Sequence, residues 1–472
     1  MASKANMDMT HGPLLGKIIR FSVPLMLSGM LQLLYNAADV IVVGKFAGAT
    51  SLAAVGSTGA LVNLLINLFM GVSVGCNVLV ARFYGARNDR AVSETVHCAV
   101  GASAIIGLLA GAVGLIFSTP LLRLMGSPED VLPLASLYLK IFFCGMPFNI
   151  AYNFGAAILR AVGETKRPLY ILSAAGIVNV ALNLVTVIVF HMGVAGVALA
   201  TITSQLISAV LVVRCLTRRE DSCRLVLREI RIYKDKLWEM IRIGLPAGIQ
   251  GSLFSLSNVI IQSSVNSFGS TVVAGNSAAS NIEGFVYTAM NAVSQASITF
   301  VSQNLGAGKP SRIHRVLWIC MGVVSVVGLA LGSAAYYGGH TLLGIYASDS
   351  EGLKEQIIAV GLIRLYYLCR IYFPCGWMEV ACGALRGLGY SWIPTTVSLL
   401  GSCALRVIWI KTVFAAQHTL ESVYISYPIS WCVTFAVHMI FFYLMFRRVK
   451  KKLPEDREET APAAARRGKS DL

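Results

Sequence analysis

The sequence predicts an all-α integral membrane protein with twelve transmembrane helices in two pseudo-symmetric six-helix bundles. Three observations carry this prediction. The composition is too poor in charge to cover a water-soluble surface, basic residues alternate between the two sides of successive apolar blocks, and the second half of the chain repeats the first. Apolar residues make up 56% of the 472 positions and charged residues 13%, against about 25% in soluble globular chains.

A span needs about 20 mainly apolar residues. Blocks bounded by polar or Gly/Pro punctuation place spans near 14–36, 52–77, 95–118, 131–156, 168–190, 193–215, 238–262, 272–300, 314–337, 356–382, 391–413 and 421–446. Met1–Arg20 is polar and lacks an apolar signal core, so the first block is read as a retained span. The fifth and sixth spans are separated only by a tight His191-Met192-Gly193 turn. With the N-terminus cytoplasmic, the inner segments hold 31 of the 39 Lys and Arg and the outer loops four: Lys45, Arg123, Lys354 and Lys411. The rest (Lys140, Arg364, Arg370, Arg406) fall within spans. This ratio follows the positive-inside rule and would collapse if one span were missed or invented, so both termini are expected in the cytoplasm of a multi-pass cell-membrane protein.

The net charge of +16 does not indicate nucleic acid. The basic residues lie in short clusters between apolar blocks, above all Arg214–Lys236 and Arg447–Lys452, and no nucleic-acid-reading motif accompanies them. Most of the eleven Cys lie inside apolar blocks, and none shows a ligand spacing. They read as small buried hydrophobes, and the seven scattered His give no metal site. No cofactor is expected, and the chain is expected to act as a monomer.

Three matches define the repeat. Ile19-Arg-Phe-Ser-Val-Pro24 recurs as Ile241-Arg-Ile-Gly-Leu-Pro246, Val80-Ala-Arg-Phe-Tyr-Gly-Ala86 as Val301-Ser-Gln-Asn-Leu-Gly-Ala307, and Leu159-Arg-Ala-Val-Gly163 as Leu385-Arg-Gly-Leu-Gly389. Six spans per half means that both halves enter from the same side, so the repeat is parallel. That suits a two-lobed transporter with a central cleft. The expected organisation is a cytoplasmic segment 1–13, an N-lobe 14–215, a basic linker 216–237, a C-lobe 238–446 and a basic, disordered tail 447–472. In the linker, Leu225, Leu227, Ile230 and Ile232 among charges fit either a surface amphipathic helix or a plain solvated connection.

As a set, several of these motifs resemble the multidrug and toxic compound extrusion (MATE) transporters. They are Tyr35-Asn-Ala-Ala-Asp-Val-Ile-Val-Val-Gly44, the Gly85-Ala86 and Gly306-Ala-Gly308 loops, the two Leu-Arg-x-x-Gly loops and Gly193-Val-Ala-Gly-Val-Ala-Leu-Ala-Thr201. The similarity runs from His11-Gly12-Pro13 to about Arg448. It implies V-shaped lobes and export of amphipathic, often cationic compounds in exchange for H⁺ or Na⁺.

Ionisable side chains inside spans cost about 2.5–3.5 kcal/mol on insertion scales, so each one has either a partner or a task. Asp39 ends the first predicted span, with Gln32, Tyr35 and Asn36 at helical spacing on its face. Asn179 and Asn183, four apart, share one face of the fifth span, and Thr201 lies in the sixth. Carboxylate, amide and hydroxyl oxygens suit a proton or Na⁺. The resemblance carries Asp39, Asn179, Asn183 and Thr201 to a cation-coupling site in the N-lobe, although some relatives have an acid where this chain has Asn183. The plainer readings are an interfacial Asp39 and amides acting as interhelical glue.

In the second half the equivalent positions are apolar or aromatic (Ile261, Leu405, Trp409). Glu283, Glu379 and Arg370 are the second-lobe candidates, with Arg364. Their plain reading is ion pairing within the lobe, and Arg364, near the outer end, can also snorkel. Another branch of the family uses acids in the seventh and tenth spans. Here the seventh span has none and Glu379 is offset by about one turn, so that site is not carried over. Pro24 is the candidate hinge, set against a static kink. Two rival functions are weighed: a flippase for lipid-linked saccharides, which would use Arg364, Arg370 and Arg406, and a membrane-embedded enzyme. The second lacks any HExxH or GxSxG motif, so no enzymatic activity is expected.

Overall fold

The computed structural model describes residues 6–346 and 351–453. Among these residues there is no strand, and helices follow one another with short turns. The first half comprises α1 (Leu14–Phe46), α2 (Ala49–Gly85), α3 (Asp89–Leu124), α4 (Leu132–Cys144), α5 (Met146–Ala161), α6 (Lys166–Leu184) and α7 (Gly193–Thr217). The second comprises α8 (Lys234–Asn266), α9 (Ser270–Gly306), α10 (Pro310–Tyr337), the short α11 (Gly339–Gly344), α12 (Glu351–Leu368), α13 (Phe373–Gly387), α14 (Trp392–Ser398), α15 (Leu405–Trp409), α16 (Ala415–Gln417) and α17 (Leu420–Lys450).

Eight of these helical segments are long and apolar enough to cross a membrane, and two bent pairs raise the number to ten. The pairs are α4 with α5, bent by 47°, and α12 with α13, bent by 50°. Each was expected as a single span, near 131–156 and 356–382. Pro147 and Pro374 restart the helix after each break, where a missing N–H costs nothing. The remaining two crossings are α8 and α9, of 33 and 37 residues. Their polar residues line the interior, so hydropathy alone passes over them. The first helix runs to Phe46, well past residue 36, so Asp39 lies within α1 and not at its end.

The repeat extends to helix irregularities. Val185–Val189 continues α6 as a π-turn, and Ile410–Phe414 follows α15 in the same way 225 positions later. A second π-turn, Leu399–Ala404, occurs only in the C-lobe. Such turns commonly mark functional stretches of a helix.

The lobes meet at the end that carries the described N- and C-terminal residues, here called the inner end. Two small-residue pairs interlock there: Gly71 and Gly75 on α2, and Gly244 and Gly248 on α8. A methyl group on Gly71 would sit 2.2 Å from the Gly248 nitrogen, and one on Gly75 would sit 2.1 Å from the Met240 oxygen. This is the small-xxx-small packing that lets helix backbones touch within membranes. Closer to the turns the contact is reciprocal. Gly85 abuts the Gln303 carbonyl and Gly306 abuts the Arg82 carbonyl, so the second of the three repeated motifs seals the pseudo-axis against its own copy. Towards the outer end the seam opens: a side chain on Gly56 or Gly59 would meet nothing within 4 Å, and Leu256 and Val259 are half exposed.

Across the inner end lies a strap formed by the N-terminal segment. Asn304 and Arg312 of the C-lobe donate to the Met9 carbonyl, Arg312 also to the Gly12 carbonyl and Lys309 to that of Thr10. Asn6 donates to the Tyr84 hydroxyl of α2 and to Asp221 of the linker. Arg219 closes the network on Glu164, Asn6 and Asp221. The linker is not an amphipathic helix: Arg219, Cys223 and Leu225 are buried, a turn follows at Asp221–Arg224, and the stretch Leu227–Arg231, which opens with a 3₁₀ turn, is exposed.

Candidate functional site

Two polar cavities lie within the lobes. The N-lobe pocket, about 110 Å³, is lined by side chains from α1, α5, α6 and α7, among them Asp39, Asn179 and Thr201. The half-buried Asp39 accepts a hydrogen bond from Asn183 Nδ2, which also reaches Asn179 Oδ1 at 3.4 Å. Asn183 is fully buried and its Oδ1 has no hydrogen-bond partner. Thr201 Oγ1 donates to the Val197 carbonyl one turn back, leaving oxygen lone pairs on the pocket side. Among the described residues no Lys, Arg or His forms an ion pair with Asp39. Tyr35 packs where Gly176 has no side chain; a methyl there would fall 1.9 Å from the ring. All four N-lobe residues named from the sequence thus meet at one place. Asn149, Tyr152, Asn153, Ser204, Gln205 and Ser208 also face the pocket and were not named. Their signal was available as polar pairs four residues apart on α5 and α7.

The C-lobe cavity, about 500 Å³, is larger and more strongly charged. Glu283 and Arg364 both line it and pair at 2.6 Å. Arg364 Nη1 donates to Asn276 Oδ1 at 2.7 Å, and the Tyr372 hydroxyl donates to Glu283 Oε1 at 2.8 Å. Both charges are therefore compensated, which is what a low-dielectric site requires. Of the two plain readings of Arg364, the ion pair within the lobe is the one observed: it is buried at 8% exposure with Glu283 and Asn276 as partners, and does not snorkel. Glu379 lines the same cavity, buried, and has no ion pair among the described residues. Arg370 does not line the cavity. It is exposed and stacks over Tyr366 at 5.3 Å. Arg406, named from the sequence only for the flippase alternative, lines the cavity beside Tyr427 and Trp431. Their spacing of four on α17 was the available signal.

Pro24 lies inside α1, buried, with its carbonyl accepting from Ser28 Oγ at 2.8 Å. Pro246 occupies the matching place in α8, and its carbonyl accepts from Thr395 Oγ1 of α14.

Two repeated helical lobes, closed against each other at one end and each enclosing a polar cavity within membrane-length helices, define a membrane transporter fold. The chain belongs to the MatE family, whose model matches residues 24–185 and again residues 246–410, one stretch in each half. A probable multidrug resistance protein of Bacillus subtilis, YoeA, is 28% identical over 443 residues, covering 92% of this chain and 93% of the relative. The FAD transporter of Shewanella oneidensis is 24% identical over 343 residues, covering 71% and 75%. Among solved structures, a MOP superfamily transporter from Pyrococcus furiosus, with a binding pocket described as of reverse polarity, superposes with a TM-score of 0.88 at 21% identity, covering 95% of this chain and 99% of that one. An outward-facing multidrug resistance MATE family transporter gives 0.85 at 22%, covering 96% and 100%. These likenesses bear out the family and the twelve-helix, two-lobe architecture expected from the sequence.

Proposed function

We propose that this chain is an H⁺- or Na⁺-coupled antiporter that exports amphipathic compounds across the cell membrane, with both termini in the cytoplasm. The observation that carries this reading is Asp39: an acid inside a membrane helix, in a pocket of amide and hydroxyl oxygens, with no basic partner among the described residues. Such a carboxylate is held at a cost in apolar surroundings, and a proton or a hard cation relieves it. Asn183 Oδ1, buried without a donor, supplies a further ligand for a cation. The C-lobe cavity has the volume and the aromatic lining of a small-molecule site, and Glu379 offers a counter-charge to cationic cargo. Coupling then follows from differential affinity: the ion favours one arrangement of the lobes, the cargo the other. The relatives' names, multidrug resistance protein and FAD transporter, span unlike cargoes, so the coupling half of the proposal is the more sharply defined.

The test is transport by purified protein in vesicles with pH and Na⁺ gradients imposed separately, wild type against Asp39→Asn. One gradient is expected to drive dye movement in the wild type, and Asp39→Asn is expected to reduce it by about tenfold or more, within the usual range of site coupling. Equal movement by both proteins would falsify the N-lobe coupling role.

A further inference from the structure

The two acids and two arginines that line the C-lobe cavity balance in number, but they are not all paired. Glu283 is matched by Arg364, which spends Nε and Nη2 on that carboxylate and Nη1 on Asn276. Arg406 is different. It is 6% exposed, forms no ion pair among the described residues, and makes one hydrogen bond, from Nε to Ser430 Oγ at 2.8 Å. Its guanidinium lies over the Tyr427 ring at 4.1 Å and within 5.9 Å of the Trp431 ring. Ser430 is itself held to the Tyr427 carbonyl. The plane of the cation is thus fixed from one edge and one face, while its two terminal nitrogens have no hydrogen-bond partner among the described residues. The C-lobe's extra π-turn ends two residues before Arg406, so the irregularity that one lobe has and the other lacks sits beside this side chain.

Stacking on aromatic faces offsets part of the desolvation of a buried cation, but it leaves the guanidinium donors unsatisfied. A planar fork with free terminal N–H groups matches the two oxygens of a carboxylate or a phosphate. We propose that Arg406 is the anion-docking residue of the C-lobe cavity and takes a carboxylate or phosphate carried by an aromatic or otherwise amphipathic cargo. This rests on the reading that the C-lobe cavity holds the transported molecule, and it adds a substrate class to it: anionic compounds besides the cationic ones that Glu379 would meet. Tyr287, Tyr372, Tyr427 and Trp431, all lining the cavity, form the surface on which the apolar part of such a cargo lies.

The experiment measures equilibrium binding to the full-length protein in lipid nanodiscs with no gradient, using fluorescent probe pairs that differ only in the anion. One pair is a carboxylated dye and its methyl ester; the other is riboflavin 5′-phosphate and riboflavin. The wild type is expected to bind the anionic member of at least one pair about tenfold more tightly, and the favoured pair tells carboxylate from phosphate. Arg406→Gln is expected to abolish the preference, and Arg406→Lys to keep part of it through charge without the fork. Equal affinity for both members of both pairs in the wild type overturns the inference and leaves the export reading standing. Failure of any probe to bind overturns both. Because the preference is read first in the wild type, a variant that does not fold does not decide the result.

Discussion

The two lobes are copies in sequence and helix order, yet each holds its acids in a different way. In the N-lobe, the polar groups around Asp39 among the described residues are amides and hydroxyls, in a pocket of about 110 Å³. In the C-lobe, Glu283 is clamped by Arg364 and Tyr372 beside a cavity of about 500 Å³. An unpaired acid can exchange its proton or cation with little rearrangement, whereas a paired one is tied to its partner. On the proposed reading the repeat separates two tasks that need different electrostatics: a small site whose charge changes and a large site in which Glu283, though not Glu379, is held in a fixed pair. The substitutions that separate them are local. Asp39 stands where the C-lobe has Ile261, buried at 2%, and Asn183 stands where it has Trp409, whose indole donates to the Ser422 carbonyl.

The largest expected effect attacks the clamped acid. Arg364→Ala leaves Glu283 buried without its cation, and breaking one half of a buried pair costs about 3–5 kcal/mol. The folded fraction of the purified variant should fall sharply on heating, whereas Asp39→Asn, which removes a charge that has no partner, should melt at or above the wild-type temperature. Replacing both partners, as Glu283→Gln with Arg364→Met, should recover much of the loss. If Arg364→Ala and Asp39→Asn melt alike, the contrast between the lobes is not electrostatic.

Much of this was legible in the sequence, for identifiable reasons. Hydropathy and the sidedness of Lys and Arg predict the number of crossings, because the bilayer constrains length and loop charge directly. The N-lobe residues could be named because Asp39, Asn179, Asn183 and Thr201 sit in motifs that resemble a family. The C-lobe cavity was harder to read. Its charges lie far apart along the chain, and whether Glu283 meets Arg364, 81 positions away, depends on how α9 packs against α12. The breaks at Pro147 and Pro374 were visible as prolines but not as angles. The reciprocal Gly71/Gly75 and Gly244/Gly248 seam was written as two GxxxG patterns, and only the packing shows that they face each other.

That seam supports a second, smaller prediction, since the contrast between lobes is useful only if they move as bodies about the inner end. Gly71→Leu forces a side chain into a space where even a methyl would lie 2.2 Å from the backbone of α8. Overpacking of this kind costs about 1–3 kcal/mol. Because the outer halves of the helices are already apart, the strain should fall on the inner contact. Amide exchange at the inner ends of α2 and α8 should rise while the interior of each lobe stays protected. Unchanged protection at the inner end would mean that the seam is not where the lobes separate.

The smallest effect concerns the strap that joins the lobes outside the membrane, and it has a definite sign in pH. Burial alone would raise the Asp221 pKa, but hydrogen bonds from Arg219 and Asn6 outweigh it and hold the carboxyl below its usual value. A depressed folded-state pKa stabilises the network above the unfolded value of about 3.9, and this contribution is lost as pH falls through the folded one. Protection of the amides of residues 6–12, corrected for the intrinsic pH dependence of exchange, should therefore be flat from neutral pH down to about pH 5 and fall only below the ordinary carboxylate range. Asp221→Asn should lower that protection at neutral pH, because Arg219 would keep Glu164 but lose the other of its two charged partners, and the difference from wild type should vanish once Asp221 is protonated. If protection already declines between about pH 7 and pH 5, a group with a higher pKa than Asp221 governs the strap.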